Sequence, residues 1–127
     1  MNPKTAFTAL ATSLALSLGA CASSGGTPTK TQSGVLTDPA DMTLYVFDKD
    51  AAGSGKSMCN GDCAVKWPPL IAEAGAHAGG GYTIVTRDDG ARQWAYQGKP
   101  LYLWAKDAKP GDRTGDGVNN VWKVARP

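Results

Sequence analysis

Leu44-Tyr45-Val46-Phe47-Asp48-Lys49-Asp50 returns as Leu101-Tyr102-Leu103-Trp104-Ala105-Lys106-Asp107, 57 residues later at every position. Each copy then runs to a tryptophan, Trp67 lying 22 residues after Tyr45 and Trp122 lying 20 after Tyr102. One motif is therefore used twice, and self-similarity at this spacing points to a domain assembled from two related units. Within each copy aliphatic and aromatic residues alternate, which predicts a strand with Leu44 and Val46 on one face and Tyr45 and Phe47 on the other. Both faces are apolar, so the strand needs cover on both sides. Asp50 and Asp107 follow the strand ends, where an aspartate ordinarily accepts a backbone N–H and fixes the next turn; that role is preferred here over catalysis or cation binding.

Outward from the motif the chain reads as short strands at Val35 to Thr37, Thr43 to Phe47, Tyr82 to Thr86, Arg92 to Tyr96, Pro100 to Leu103 and Val121 to Val124. Asp88-Asp89-Gly90 predicts a hairpin that sets Thr83-Ile84-Val85 against Gln93-Trp94-Ala95, and Gln97-Gly98 turns the chain again to give a meander. One short helical turn is expected from Cys63 to Trp67, stopped by Pro68. Pro68-Pro69 is expected to extend the chain and hold Trp67 against the first repeat. The expected fold is mainly β: a small single domain of short antiparallel strands, with repeats at about 34–70 and 91–125 inside a domain of residues 34–127.

The 127 residues are 42% hydrophobic, enough for one domain and too few for two. Sixteen glycines and eight prolines without a period argue for a turn-rich chain without long helices. A formal charge of +2 gives no footprint for nucleic acid. Lys4 followed by an apolar stretch from Ala6 to Leu18 reads as a signal peptide over residues 1–20, too short to span a bilayer. It ends in Leu18-Gly19-Ala20-Cys21, which resembles a bacterial lipobox; the resemblance implies that Cys21 carries a lipid and becomes the mature N-terminus. Ala22 in place of an aspartate fits the outer membrane in a Gram-negative cell. Residues 21–33, rich in Ser, Gly, Thr and Pro, read as a flexible tether.

With Cys21 assigned to lipid, Cys59 and Cys63 remain as a pair in an exported compartment, which favours a disulfide across the Asn60-Gly61 turn. Two other readings stay open. Met58, Cys59, Cys63 and His77 offer soft ligands for Cu(I), and the spacing resembles the C-x-x-x-C of copper-delivery proteins with a thioredoxin fold, although their prolines and βαβ pattern are missing. A reactive redox pair is the third. His77 is the lone histidine, which removes most His-based catalytic arrangements unless it is itself the base. Asp107, Asp112, Asp116 and Asn119 could ligate calcium, but their spacing fails the EF-hand pattern and a glycine-rich loop accounts for them. Of ten aromatic residues Phe7 lies in the signal; the other nine are expected to fill the core, with Trp94 and Tyr96 the best candidates for an exposed ligand stack.

The pattern Y-x-[FWY]-x-x-D at Tyr45/Phe47/Asp50 and Tyr102/Trp104/Asp107, joined to Ser57-Met58-Cys59-Asn60-Gly61-Asp62-Cys63 and Trp67-Pro68-Pro69-Leu70, resembles a family of bacterial lipoproteins called the secreted repeat of unknown function. The resemblance covers Val35 to Ala125, agrees with the lipobox and transfers no catalytic residue. The functional expectation is a non-enzymatic, lipid-anchored binding or structural module of the cell envelope. It needs no cofactor, touches the membrane through its lipid, and has an envelope protein or small ligand as partner. The alternative is a copper or thiol redox protein using Cys59 and Cys63.

Overall fold

A computed structural model describes residues 27–127, so the signal peptide and Cys21 lie outside the described residues. Among the described residues seven short strands form three antiparallel sheets. β1 (Lys30–Gln32) pairs with β2 (Val35–Thr37), β3 (Tyr45–Phe47) with β7 (Trp122–Val124), and β4 (Tyr82–Thr86), β5 (Arg92–Tyr96) and β6 (Lys99–Pro100) form the meander. Helix α1 (Asp62–Lys66) is one turn and a half, ending where Trp67 N–H closes on the Cys63 carbonyl and Pro68 removes the next donor. No helix among the described residues is long and apolar enough to cross a membrane.

The two motif strands meet at the centre. Tyr45 N–H donates to the Tyr102 carbonyl (2.8 Å) and Tyr102 N–H to the Tyr45 carbonyl (2.9 Å), an antiparallel pair that relates the two repeats by a local pseudo-two-fold axis. Around it the same backbone triangle is drawn twice. Leu36 N–H reaches the Ala125 carbonyl, Leu44 N–H the Leu36 carbonyl, and Ala125 N–H the Leu44 carbonyl. Trp94, Leu101 and Leu70 repeat that triangle in the other half. Leu70 follows the first repeat's tryptophan and Ala125 the second's, so each repeat sends its C-terminal segment into the sheet of the other. β7 therefore runs along β3, with Phe47 opposite Trp122, while the segment at Lys66 to Pro69 runs along Tyr102 to Ala105.

Both faces of the motif are covered, as the alternation requires. Tyr45, Tyr102, Trp67, Trp104 and Trp122 form one cluster with Phe47 packed against it; Leu36, Leu44, Leu70, Leu101 and Ala125 form the other with Val46 and Leu103 against it. The hairpin at Asp88-Asp89-Gly90 forms with Ile84 opposite Trp94, and Gly90 takes the positive φ (+85°) that the turn needs.

Two expectations are corrected. The flexible tether expected over residues 21–33 does not hold at its C-terminal end, because Lys30–Gln32 is a strand whose backbone pairs with β2; residues 21–26 lie outside the described residues. The strand expected at Pro100 to Leu103 stops at Pro100, and beyond it Tyr102 bridges to Tyr45 on one side and Pro69 on the other. Pro68 and Pro69 run along the second repeat, the Pro68 carbonyl accepting from Leu103 N–H (2.7 Å), while Trp67 packs edge-on against Tyr45 of the first, as expected.

Candidate functional site

The motif residues gather on the aromatic side of the central pair, and their polar atoms cross between repeats. Tyr45 Oη donates to Asp107 Oδ2 (2.6 Å), and Tyr102 Oη to Asp50 Oδ2 (2.5 Å). Each tyrosine of one repeat is thus held by the aspartate of the other. The second oxygen of each carboxylate reaches forward to a loop backbone: Asp50 Oδ1 accepts from Met58 N–H (2.6 Å), and Asp107 Oδ1 from Thr114 N–H and Oγ1 (3.1 and 2.6 Å). The turn-fixing role read from sequence is half of what these aspartates do; the cross-repeat half has no local signature. Both phenols are fully buried, and desolvation, reinforced by the neighbouring carboxylate, pushes each well above its ordinary 10.0. Burial also raises the Asp50 carboxyl, against the lowering pull of Tyr102, Met58 N–H and Arg87.

Ser57 and Thr114, also 57 apart, extend the two pairs differently. Buried Arg87 donates through Nη1 to Ser57 Oγ (2.9 Å) and to Gln93 Oε1 (2.7 Å), and through Nη2 to the Cys59 carbonyl. Ser57 Oγ lies 2.6 Å from Tyr102 Oη. Because Tyr102 gives its proton to Asp50, the Ser57 hydroxyl donates to Tyr102, and a continuous chain runs from the Arg87 cation through Ser57 and Tyr102 to Asp50. A buried cation and a buried carboxylate are tolerated together because this chain links and neutralises them. Arg87 was not legible as a site residue: it precedes a turn, where a charged residue normally faces water. Ser57 and Thr114 had a signal, their shared offset.

Four rings stack face to face across the repeats in the order Phe47, Trp122, Trp67, Trp104, with centroids 4.2, 3.8 and 3.9 Å apart. The stack is symmetric about its middle. Tyr45 stands edge-on to Trp67 at 5.4 Å and Tyr102 edge-on to Trp122 at 5.1 Å, so the tryptophans cover the tyrosines of their own repeats as the sequence led one to expect. Gly115 lies against this stack; a Cβ there would meet Trp67 at 2.8 Å and Trp104 at 3.0 Å. Trp94 and Tyr96 are only half-buried but pack on Tyr82, at 6.2 and 4.9 Å, rather than forming a free stack.

Cys59 and Cys63 are joined as a disulfide, Cys59 fully buried and Cys63 half-buried. Joined sulfurs offer no thiolate, so the soft-ligand set is reduced in this state to Met58, 62% exposed, and His77, exposed in a loop that Arg92 holds through the Glu73 and Ala76 carbonyls. Among the described residues no three His, Cys, Asp or Glu side chains are grouped to hold a metal ion. In the loop considered for calcium, Asp107 and Asp112 are engaged with backbone N–H groups and Asp116 accepts from Val124 N–H.

Open hollows flank the core. One of about 480 Å³ is lined by Lys99, Lys123 and Arg126 with Asp48 and Asp116; Lys123 is paired with Asp48 (2.7 Å) and Arg126 donates to the Gly34 carbonyl. Another, of about 430 Å³, exposes Phe47 and Cys63 beside Lys49 and Lys66.

No curated protein and no solved structure matches the chain. A family model described as a secreted repeat of unknown function matches it twice, over residues 27–71 and 83–126. The matched units begin earlier than the expected 34 and 91, and each takes in the hairpin, β1–β2 or β4–β5, ahead of its motif. With its two copies crossed about the Tyr45–Tyr102 pair, the chain belongs to the family of secreted repeats of unknown function.

Proposed function

We infer that the chain is a lipid-anchored module of the cell envelope, held at Cys21 and acting by binding or by structure rather than by catalysis. One observation carries the non-catalytic half: the polar side chains gathered at the repeated motif, Tyr45, Tyr102, Asp50, Asp107 and Arg87, are buried and hydrogen-bonded to one another or to backbone. A general acid or nucleophile must meet substrate, and these groups face each other. The anchored half is supported by the signal and lipobox of residues 1–21, by family membership among secreted repeats, and by a disulfide suited to an oxidising compartment. The near-neutral charge favours no nucleic-acid partner. In a Gram-negative cell the anchor belongs in the outer membrane, facing the periplasm.

Processing in the native host tests the anchor. Cys21→Ser is expected to accumulate as the unprocessed precursor; a variant matured and membrane-bound like wild type would refute the assignment. Thiol titration of the unfolded, envelope-matured chain tests the alternative at the cysteines. Neither Cys59 nor Cys63 should titrate, and Cu(I) should bind no better than to Cys59→Ser/Cys63→Ser. Two free thiols with tight, thiol-dependent Cu(I) binding would replace the binding-module reading by a copper protein.

A further inference from the structure

The aromatic cluster has two features that filling a core does not require. Its indoles touch face to face in an unbroken run instead of interleaving with aliphatic side chains, and both phenols edge-on to that run have a carboxylate oxygen within 2.6 Å of the oxygen that bears the proton. Tryptophan and tyrosine are the side chains most readily oxidised by one electron without a metal. A tyrosine yields an electron easily only when its proton leaves together with it, because the protonated phenol radical is a strong acid. Tyr45 and Tyr102 have no exposure to solvent, and Asp107 and Asp50 stand where the proton must go. Of the three stacked indoles Trp104 is the least covered, at 9% exposed against 3% for Trp67 and 2% for Trp122, and the Lys106 ammonium lies 5.6 Å from its ring. A cation at that distance disfavours a positive charge resting on the outermost indole and biases it inward.

We propose that this array is a relay for oxidising equivalents, carrying a one-electron vacancy from Trp104 inward to the buried tyrosines. A strong one-electron oxidant in the envelope removes an electron from the Trp104 indole and is itself reduced. Trp67, stacked at 3.9 Å, refills Trp104, and the vacancy passes to Tyr45 edge-on at 5.4 Å, or through Trp122 at 3.8 Å to Tyr102. The tyrosine gives up its electron as its O–H bond breaks, the proton moving to Asp107 or Asp50. The products are a neutral tyrosyl radical, a protonated carboxyl and a restored indole, with no proton released to water. A one-electron reductant reverses the sequence. The disulfide and the Arg87 chain hold the Ser57 to Cys63 loop over the Tyr102 end, keeping water from that radical.

The relay is tested on the purified full chain with flash-generated tris(bipyridine)ruthenium(III) as oxidant, following tyrosyl and tryptophanyl radicals by transient absorption and electron paramagnetic resonance. The chain has four tyrosines, so Tyr82→Phe/Tyr96→Phe leaves only Tyr45 and Tyr102. In that background a long-lived tyrosyl radical should form at a rate independent of buffer-base concentration, because the acceptor is internal. Adding Trp104→Phe should abolish most of its yield, while adding Tyr45→Phe/Tyr102→Phe should leave indole radicals alone. Absence of a tyrosyl radical, a yield untouched by Trp104→Phe, or a rate that climbs with buffer base would overturn the relay. The unaltered chain gives an independent reading: part of its tyrosyl signal should rise at a rate independent of buffer base, and a signal whose entire rise follows buffer base would overturn the relay.

Discussion

At the scale of single residues, Tyr102 shows how much of the stability is polar. It accepts from Ser57 and donates to Asp50, all three buried. Tyr102→Phe removes one donor and leaves a buried carboxylate oxygen unmatched, so chemical denaturation should show a loss of about 1–3 kcal/mol. Tyr45→Phe should behave alike through Asp107. The phenols also set a pH limit. Their folded pKa values lie above the ordinary 10.0, so the neutral phenol is bound more tightly in the folded chain; this stability is complete below pH 10.0 and is lost as pH climbs toward the folded value. Alkaline titration of the unfolding free energy should therefore fall steeply above pH 10.0 in wild type and much less in Tyr45→Phe/Tyr102→Phe. Equal slopes would place the alkaline sensitivity elsewhere. Gly115 makes a steric demand instead: a methyl group there would sit 2.8 Å from Trp67 and 3.0 Å from Trp104, so Gly115→Ala should cost about 1–3 kcal/mol through displacement of the stack, read from thermal unfolding.

At the scale of elements, the disulfide closes a separation of only four residues, so its contribution is bounded at about 2 kcal/mol by the entropy of so short a loop. Cys59→Ser/Cys63→Ser should therefore stay folded with a lowered melting temperature; wholesale unfolding would show that the cross-link carries the fold. What the sequence made legible here was whatever had a local signature. The motif strands declared themselves by alternation, the β4–β5 hairpin by Asp88-Asp89-Gly90, and α1 by the proline that stops it. β1 had none, since Lys30, Thr31 and Gln32 are all exposed and the strand is held by backbone pairing to β2. Arg87 was hidden for the opposite reason, a charged side chain folded inward onto Ser57, Gln93 and the Cys59 carbonyl, partners drawn from as far as 30 residues away.

At the scale of the whole molecule, the repeat announced two related units but not their exchange. Tyr45 and Asp107 are 62 residues apart and Tyr102 and Asp50 are 52 apart, and no local pattern distinguishes two closed repeats from two crossed ones. Crossing has an energetic consequence: Trp67 and Trp122, each almost fully buried, stack on each other at 3.8 Å, so each alanine replacement should cost about 3 to 5 kcal/mol and the double variant less than the sum. It also means that neither repeat has a core of its own to retain when the other opens. Native-state hydrogen exchange in mild denaturant reads this directly through the amides of Leu36, Leu44 and Ala125 and their counterparts Trp94, Leu101 and Leu70. If the repeats are interlocked, all six exchange through one opening with a common free energy equal to that of global unfolding. A set of three that opens at lower free energy while the other three stay protected would show two independent repeats and contradict the crossed architecture.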